Sequence, residues 1–182
     1  MIPLINNMKE NKMNRFIIEK NPRLIAKSLC DQHIVKMPLE EAQMLCTTIW
    51  HYAPDYAEEH NLYKPVHQKH PCTLWAMENA SNFYFAHQLY VWMCQEYTTR
   101  YKKIHGASKH YLSLFNAMKF LPEGEQTQHP QCFGKYEILK TEEFYPINAY
   151  RMFYVYDKTF AKYNNGRDRP EWFIDHSSLT MH

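Results

Sequence analysis

A chain of 182 residues with 45% hydrophobic content, 4 glycines and a formal charge of +2 has enough material for one sizeable core, and it is too weakly basic to announce nucleic-acid binding by charge alone. Its five cysteines form an odd set without a Cys-x-x-Cys pair, which argues against a disulfide framework, and no apolar run has the length of a membrane span or the character of a signal peptide. Aromatic residues at 15%, 14 of them tyrosines, beside so little glycine predict a mainly α, compact single-domain helical fold built from large side chains.

No Pro/Gly/Ser linker divides the chain, so the expected organisation is a flexible N-terminal extension over 1–12, a helical domain over 13–173 and a C-terminal tail over 174–182. Residues 13–18 suit a short extended segment. Asn21-Pro22 then reads as an N-cap followed by a first-turn proline, and the helix it opens, or a pair broken near 30–33, runs to about His51 with Pro38 as a kink. Residues 57–72 hold His60, Tyr63, His67 and His70 among prolines and read as loop and short helix. From Ser81, the residues Phe83, Ala86, Tyr90, Met93, Cys94, Tyr97 and Tyr101 recur at helical spacing, which predicts a long central aromatic-rich helix ended by Gly106; Trp92 is assigned to its buried side. A further helix is expected over 109–119, an irregular region over 122–140, and a last helix over 147–161 before Asn164-Asn165-Gly166; Pro170-Glu171-Trp172-Phe173 supplies an aromatic anchor.

The segment 30–49 sorts into two faces at about 100° per residue. Ile34, Val35, Pro38, Leu39, Ala42, Leu45, Cys46 and Ile49 share one side, and His33, Lys36, Glu40, Gln43 and Thr47 share the other. His33 and Glu40 are two turns apart, about 10 Å along the axis, so an imidazole and a carboxylate could flank a ligand. A solvated helix face accounts for the same pattern, with Lys36 and Glu40 as an ordinary surface pair worth a few tenths of a kcal/mol. His67, His70 and Cys72 are zinc-ligand types without a fourth partner, and histidines in an aromatic loop more often hydrogen-bond than ligate, so no metal is expected.

Leu29-Cys30-Asp31-Gln32-His33-Ile34 followed by Leu39-Glu40 resembles the first catalytic helix of the viral pyrimidine-dimer DNA glycosylases, the endonuclease V family. Lys69-His70-Pro71-Cys72-Thr73, with the helix from Ser81, is similar to that family's Ser-Pro-Thr segment and second helix, and Pro170-Glu171-Trp172-Phe173 is a fainter echo of its aromatic C-terminus. The pattern is also similar to proteins of large-genome bacteriophages, which would place the chain in the cytoplasm of an infected cell.

The resemblance implies a DNA N-glycosylase that removes a damaged or modified pyrimidine without a cofactor. Glu40 would be the catalytic carboxylate, with His33 beside it, stabilising positive charge on the sugar or activating a water. Arg15, Lys36, Gln43, His70, Thr73, Trp75 and Arg151 are the candidate substrate-binding residues: the basic ones for phosphate, Trp75 as a pocket wall for an extruded base. The chain departs from the family at Leu39 and Gln43, which stand where it has arginines, and in carrying residues 1–12 ahead of the point where the family's nucleophilic amine is found. Damaged or modified duplex DNA is therefore the expected partner, with at most weak abasic-site lyase activity. A free nucleotide or nucleoside is the alternative substrate, and a non-catalytic viral protein that binds a host factor is the third reading. Membrane contact is not expected, and the oligomeric state is left open.

Overall fold

The computed structural model describes residues 13–174, so the expected extension over 1–12 and all but the first residue of the expected tail lie outside the described residues. The fold is mainly α, and no strand occurs among the described residues. The helices are α1 (Pro22–Ser28), α2 (Asp31–Tyr52), α3 (Pro54–Glu59), α4 (Pro71–Glu78), α5 (Ala80–Tyr101), α6 (Tyr111–Ala117) and α7 (Ile147–Asp157), with 3-10 turns at Gly106–His110, Met118–Phe120 and Gly134–Leu139.

The expected start of α1 is found: the Asn21 side chain accepts a hydrogen bond from the Arg23 N–H at 2.8 Å, with Pro22 in the first turn. The break between α1 and α2 is held by distant partners. The Cys30 N–H donates to the Tyr154 hydroxyl at 3.0 Å and the Asp31 N–H to the Lys162 carbonyl at 2.8 Å, so two donors at the start of α2 are satisfied from the C-terminal third of the chain. Past that break α2 continues through Pro38 to Tyr52 as one helix.

Helices α2 and α5, 22 residues each, pack together at the centre, with α1 and α4 against α5, and α3 and α4 against α2. Their aromatic and aliphatic side chains form one core with Phe16, Ile17 and Ile18 of the N-terminal segment and Tyr150, Phe153 and Tyr154 of α7. Burying such side chains contributes roughly 1.5–3 kcal/mol each against the entropy of ordering them. Phe83, Ala86, Tyr90, Met93 and Cys94 are all buried on α5, while Trp92 is only partly buried and lies under the Arg23 guanidinium at 5.0 Å.

Several expectations need correction. Helix α5 ends at Lys102, in the left-handed region at φ 57°, where the Lys102 N–H reaches the Thr98 carbonyl at 2.9 Å; Gly106 instead opens the following 3-10 turn. Helix α4 begins in the last two residues of the stretch read as loop and short helix and continues over 73–78, where no element is expected. Its cap is His70, whose Nδ1 accepts from the Cys72 N–H at 3.2 Å ahead of the first-turn Pro71. Helix α7 stops at Asp157, leaving Phe160 beyond it. The two faces of α2 are also redistributed: Val35 and Leu39 are 47% and 40% exposed, whereas His33, Thr47 and the neighbouring Glu41 are buried. The cause is coverage from two sides, by α4 and α5 and by segments remote in sequence, which takes polar side chains inward.

The segment after 122 is stitched across the α4–α5 junction. Ala80 N–H donates to the Pro122 carbonyl at 2.8 Å, Asn79 Nδ2 to the Glu125 carbonyl at 3.0 Å, and Thr127 N–H to buried Asn82 Oδ1 at 3.0 Å. Gly124 is required for this approach, because a Cβ there would stand 2.9 Å from Asn79 Cβ.

Candidate active site beside helix α2

Helix α2 aligns His33, Lys36, Glu40 and Gln43 along one edge, as the periodicity predicts, and the environment of each is distinct. Glu40 Oε1 accepts from Lys36 Nζ at 2.8 Å, and the Glu40 side chain is only 13% exposed. Its other oxygen, Oε2, is enclosed and has no hydrogen-bond partner among the described residues. Withdrawing a carboxylate oxygen from water without replacing its hydrogen bonds costs on the order of 1–3 kcal/mol, so native folds leave few such atoms.

His33 is buried. Its ring stacks on Phe16 at 4.7 Å and shares a hydrogen bond of 2.7 Å, from Nδ1, with the Tyr154 hydroxyl. Burial, and then the charges of Lys158 and Lys36, push its pKa down to about 3, so the ring is neutral near pH 7. His33 therefore contributes shape and a hydrogen bond rather than a charge. Gln43, one turn beyond Glu40, is half-buried, and its main-chain carbonyl accepts from the Thr47 hydroxyl at 2.8 Å.

One residue past Glu40 the helix turns inward. Glu41 is fully buried, and both of its oxygens are taken by Arg15, through Nε at 2.9 Å and through Nη2. Arg15 Nη1 donates to the Cys72 carbonyl at 3.3 Å, and the guanidinium lies over the Trp75 ring at 5.2 Å. His129 covers Trp75 at 4.4 Å and is held neutral, well below its ordinary pKa, by burial and then by the Arg15 charge. This arrangement relocates three of the expected substrate contacts. Arg15, Thr73 and Trp75 all lie in the interior, because residues 13–18 thread into the core against α2 and α4, and none presents a donor or a ring face to solvent. Thr73 Oγ1 and Trp75 Nε1 are enclosed without partners among the described residues.

A cavity of about 930 Å³ opens beside this edge. One wall carries His67, Lys69 and His70, the other Cys132, Lys135 and Lys140, with Met13 and Asn14 between them and Phe160 at one end. Glu40 is not among the residues that line the cavity, but neighbours on either side of it in α2 touch residues that line or adjoin it. His33 meets the Phe160 ring at 5.7 Å; Met44 packs with Met13, Cys72 and Cys132; and the Thr47 hydroxyl bonds the carbonyl of Val66, next to His67, at 2.9 Å. His70, expected at the substrate, is in the wall: its Nε2 donates to the Met13 carbonyl at 3.0 Å while Nδ1 caps α4. Arg151 is elsewhere, bonded to the Ile18 carbonyl at 2.9 Å and Glu19 at 2.6 Å, with Trp172 beneath it. A second hollow of about 720 Å³ lies between α1 and α5, lined by Tyr84, Gln88 and Trp92, away from the carboxylate edge.

The structure thus brings His33, Lys36, Glu40 and Gln43 to one edge and His70 to the adjoining wall. Glu41, His129, Lys135 and Lys140 were not singled out from the sequence. For Glu41 a signal existed, since the 3.6-residue period places it with Ile34, Met37 and Thr48 on the buried side; the other three lie in or beside irregular backbone that carries no period. His67, His70 and Cys72 do not converge, and among the described residues no group of three or more His, Cys, Asp or Glu side chains could hold a metal ion. No described helix is long and apolar enough to cross a membrane.

Residues 13–109 match the family model for pyrimidine dimer DNA glycosylases. No curated protein and no solved structure matches the chain. The match spans α1 to α5, and with them the Glu40 edge, the Arg15–Glu41 pair and one cavity wall; the wall at 131–140 and α7 come from the chain beyond it. On a match over more than half of its length, the chain belongs to the pyrimidine dimer DNA glycosylase family.

Proposed function

We propose that this protein cleaves the N-glycosidic bond of a damaged or modified pyrimidine in duplex DNA, with Glu40 as the carboxylate that acts at the sugar. The observation that carries the proposal is the unequal state of the two Glu40 oxygens: Oε1 is anchored by Lys36, and Oε2 is enclosed with no partner among the described residues to give up. As the bond from C1′ to the base breaks, positive charge develops on the sugar, and an oriented carboxylate stabilises that charge or takes a proton from the attacking water. The base leaves with the bonding electrons and is protonated, while water adds at C1′ to give the abasic site.

The neighbouring cavity supports the same reading. At about 930 Å³ it lies within the range of ligand-binding clefts and has room for a nucleotide turned out of the helix. Lys69, Lys135 and Lys140 on its walls suit phosphate groups, which set position rather than base identity. Lys36 orients the carboxylate, and neutral His33 with Phe16 and Phe160 provides an apolar flank. An abasic-site lyase step would need an amine at the sugar. Met13 and Asn14 line the cavity, so a form of the protein whose α-amine lies at either residue is the one proposed to carry that step.

The test is Glu40→Gln, assayed for base release from ultraviolet-irradiated and hypermodified DNA. Release is expected to fall by about 100-fold or more, the scale of a positioned acid–base group, with DNA binding retained. Undiminished release by this variant would remove Glu40 from the mechanism. Binding of the damaged duplex should also weaken steeply with salt; equal activity on free nucleotides with a shallow salt response would replace the duplex as substrate. Borohydride trapping of a covalent complex, compared between the full chain and a chain starting at Asn14, tests the lyase step.

A further inference from the structure

Cys72 and Cys132 are 60 residues apart in the sequence, yet their sulfur atoms stand 4.0 Å from each other. Cys132 is the one cysteine of the five that is not buried, and it lines the cavity beside α2; Cys72 is enclosed behind it in the first turn of α4. Backbone contacts hold both residues. The Cys132 carbonyl accepts from Asn14 Nδ2 at 2.6 Å and its N–H donates to the Tyr150 hydroxyl at 3.3 Å; the Cys72 carbonyl accepts from Arg15 at 3.3 Å and its N–H donates to His70 Nδ1 at 3.2 Å. The sulfurs are left facing each other, packed by the flexible side chains of Met13 and Met44, which can yield as they move.

The surrounding charges separate the roles of the two thiols. A hydrogen bond from the Cys72 thiol, opposed by burial, and then the positive charges of Arg15 and Lys140 hold the Cys132 thiol below its usual pKa, with Glu137 acting against them. The same hydrogen bond and burial push Cys72 well up, with His70 and Arg15 opposing. The thiolate form is thus favoured on the accessible sulfur and disfavoured on the enclosed one.

We propose that Cys132 is a modification site for hydroperoxides, with Cys72 as its resolving thiol and a Cys72–Cys132 disulfide in the cavity wall as the product. The Cys132 thiolate attacks one peroxide oxygen, forming the S–O bond as the O–O bond breaks, and the departing hydroxide takes up a proton to become water. The Cys72 sulfur then attacks the sulfenic sulfur; the S–S bond forms as S–O breaks, and the leaving hydroxide takes the Cys72 proton. Two electrons pass from the thiols to hydrogen peroxide, and two waters form. The sulfurs must close from 4.0 Å to about 2.05 Å as the S–S bond forms.

Full-length protein treated with hydrogen peroxide should show an intact mass lower by two hydrogens and, after blocking and digestion, a peptide pair joined through Cys72 and Cys132, both reversed by dithiothreitol. The Cys72→Ala variant should stop at a sulfenic acid on Cys132 that dimedone traps. In the untreated native protein, which needs no variant to fold, limiting iodoacetamide should modify Cys132 ahead of the other four cysteines. Alkylation spread evenly over all five, or peroxide treatment that yields neither the linked peptides nor a dimedone adduct on Cys132, overturns the proposal. None of these readouts uses base release, so the result is independent of the role of Glu40.

Discussion

Glu40 and Glu41 are consecutive residues of one helix, and the two regions they enter treat a carboxylate in opposite ways. Glu41 points into the core, where Arg15 takes both of its oxygens and no water reaches either side chain. Glu40, about 100° round the helix, shares one oxygen with a half-exposed lysine, while the other is enclosed and unpaired among the described residues. A buried charge that is fully matched specifies the fold, since it has one geometry and a large penalty for any other. A partly matched carboxylate has hydrogen-bonding capacity left over. The adjacency teaches that residue type and position in the chain do not decide how fully a carboxylate is matched, whereas the segments that reach it do.

The comparison breaks most readily at the interior pair. Arg15→Met should lower stability by about 3–5 kcal/mol, because it strands the Glu41 charge, and pairing it with Glu41→Leu should recover most of the loss. Urea unfolding midpoints measure both, and a single substitution costing under about 1 kcal/mol would show that the pair does not organise the core. Exchanging the experiment between the two glutamates sharpens the contrast. Glu40→Gln should leave stability within about 1 kcal/mol of the parent while base release collapses, and Glu41→Gln should do the reverse, lowering the unfolding midpoint while the folded fraction keeps its activity.

A smaller, pH-dependent effect arises from His33. Its folded-state pKa of about 3 lies below the ordinary 6.5, so between these values the unfolded chain binds a proton that the folded chain does not. Stability should therefore be fully present above about pH 6.5 and decline as the pH falls toward 3, with a slope approaching 1.4 kcal/mol per pH unit for each such histidine. Buried His129, shifted in the same direction, adds to the slope. Unfolding midpoints measured from pH 7 to pH 4 should show the decline, and His33→Phe should make it shallower. The smallest effect belongs to Lys36→Met, which should change stability by only a few tenths of a kcal/mol, as a half-exposed helical pair does, while lowering base release modestly by loosening the carboxylate.

Much of the helical frame was legible from local chemistry. Asn21-Pro22 marked the start of α1, the aromatic repeat from Phe83 to Cys94 marked α5, and the spacing of His33, Lys36, Glu40 and Gln43 marked a shared edge. These are properties of a few turns of chain, where the 3.6-residue period and the capping groups act on neighbours. Helix α4 was missed because eight residues with Cys72, Thr73, Trp75 and Ala76 all buried show little division into faces, although His70-Pro71 carried the cap. Val35 and Leu39 were expected inside on periodicity and lie outside, since an apolar residue is buried only where another segment arrives to cover it.

By itself, then, the sequence determined the helical class, the course of α2 and α5, membership of a glycosylase family through a motif within α2, and Glu40 as the residue to examine. Only the tertiary structure decided that Arg15 and Trp75 belong to the interior, that Glu41 is paired with Arg15 inside the core, and that 131–140 returns to complete the cavity. Those decisions join residues separated by 26 positions, as Arg15 and Glu41 are, or by 60, as Cys72 and Cys132 are. Hydrogen-bond matching and exclusion of water are settled by whichever segments meet in space, and a local period carries no record of that meeting.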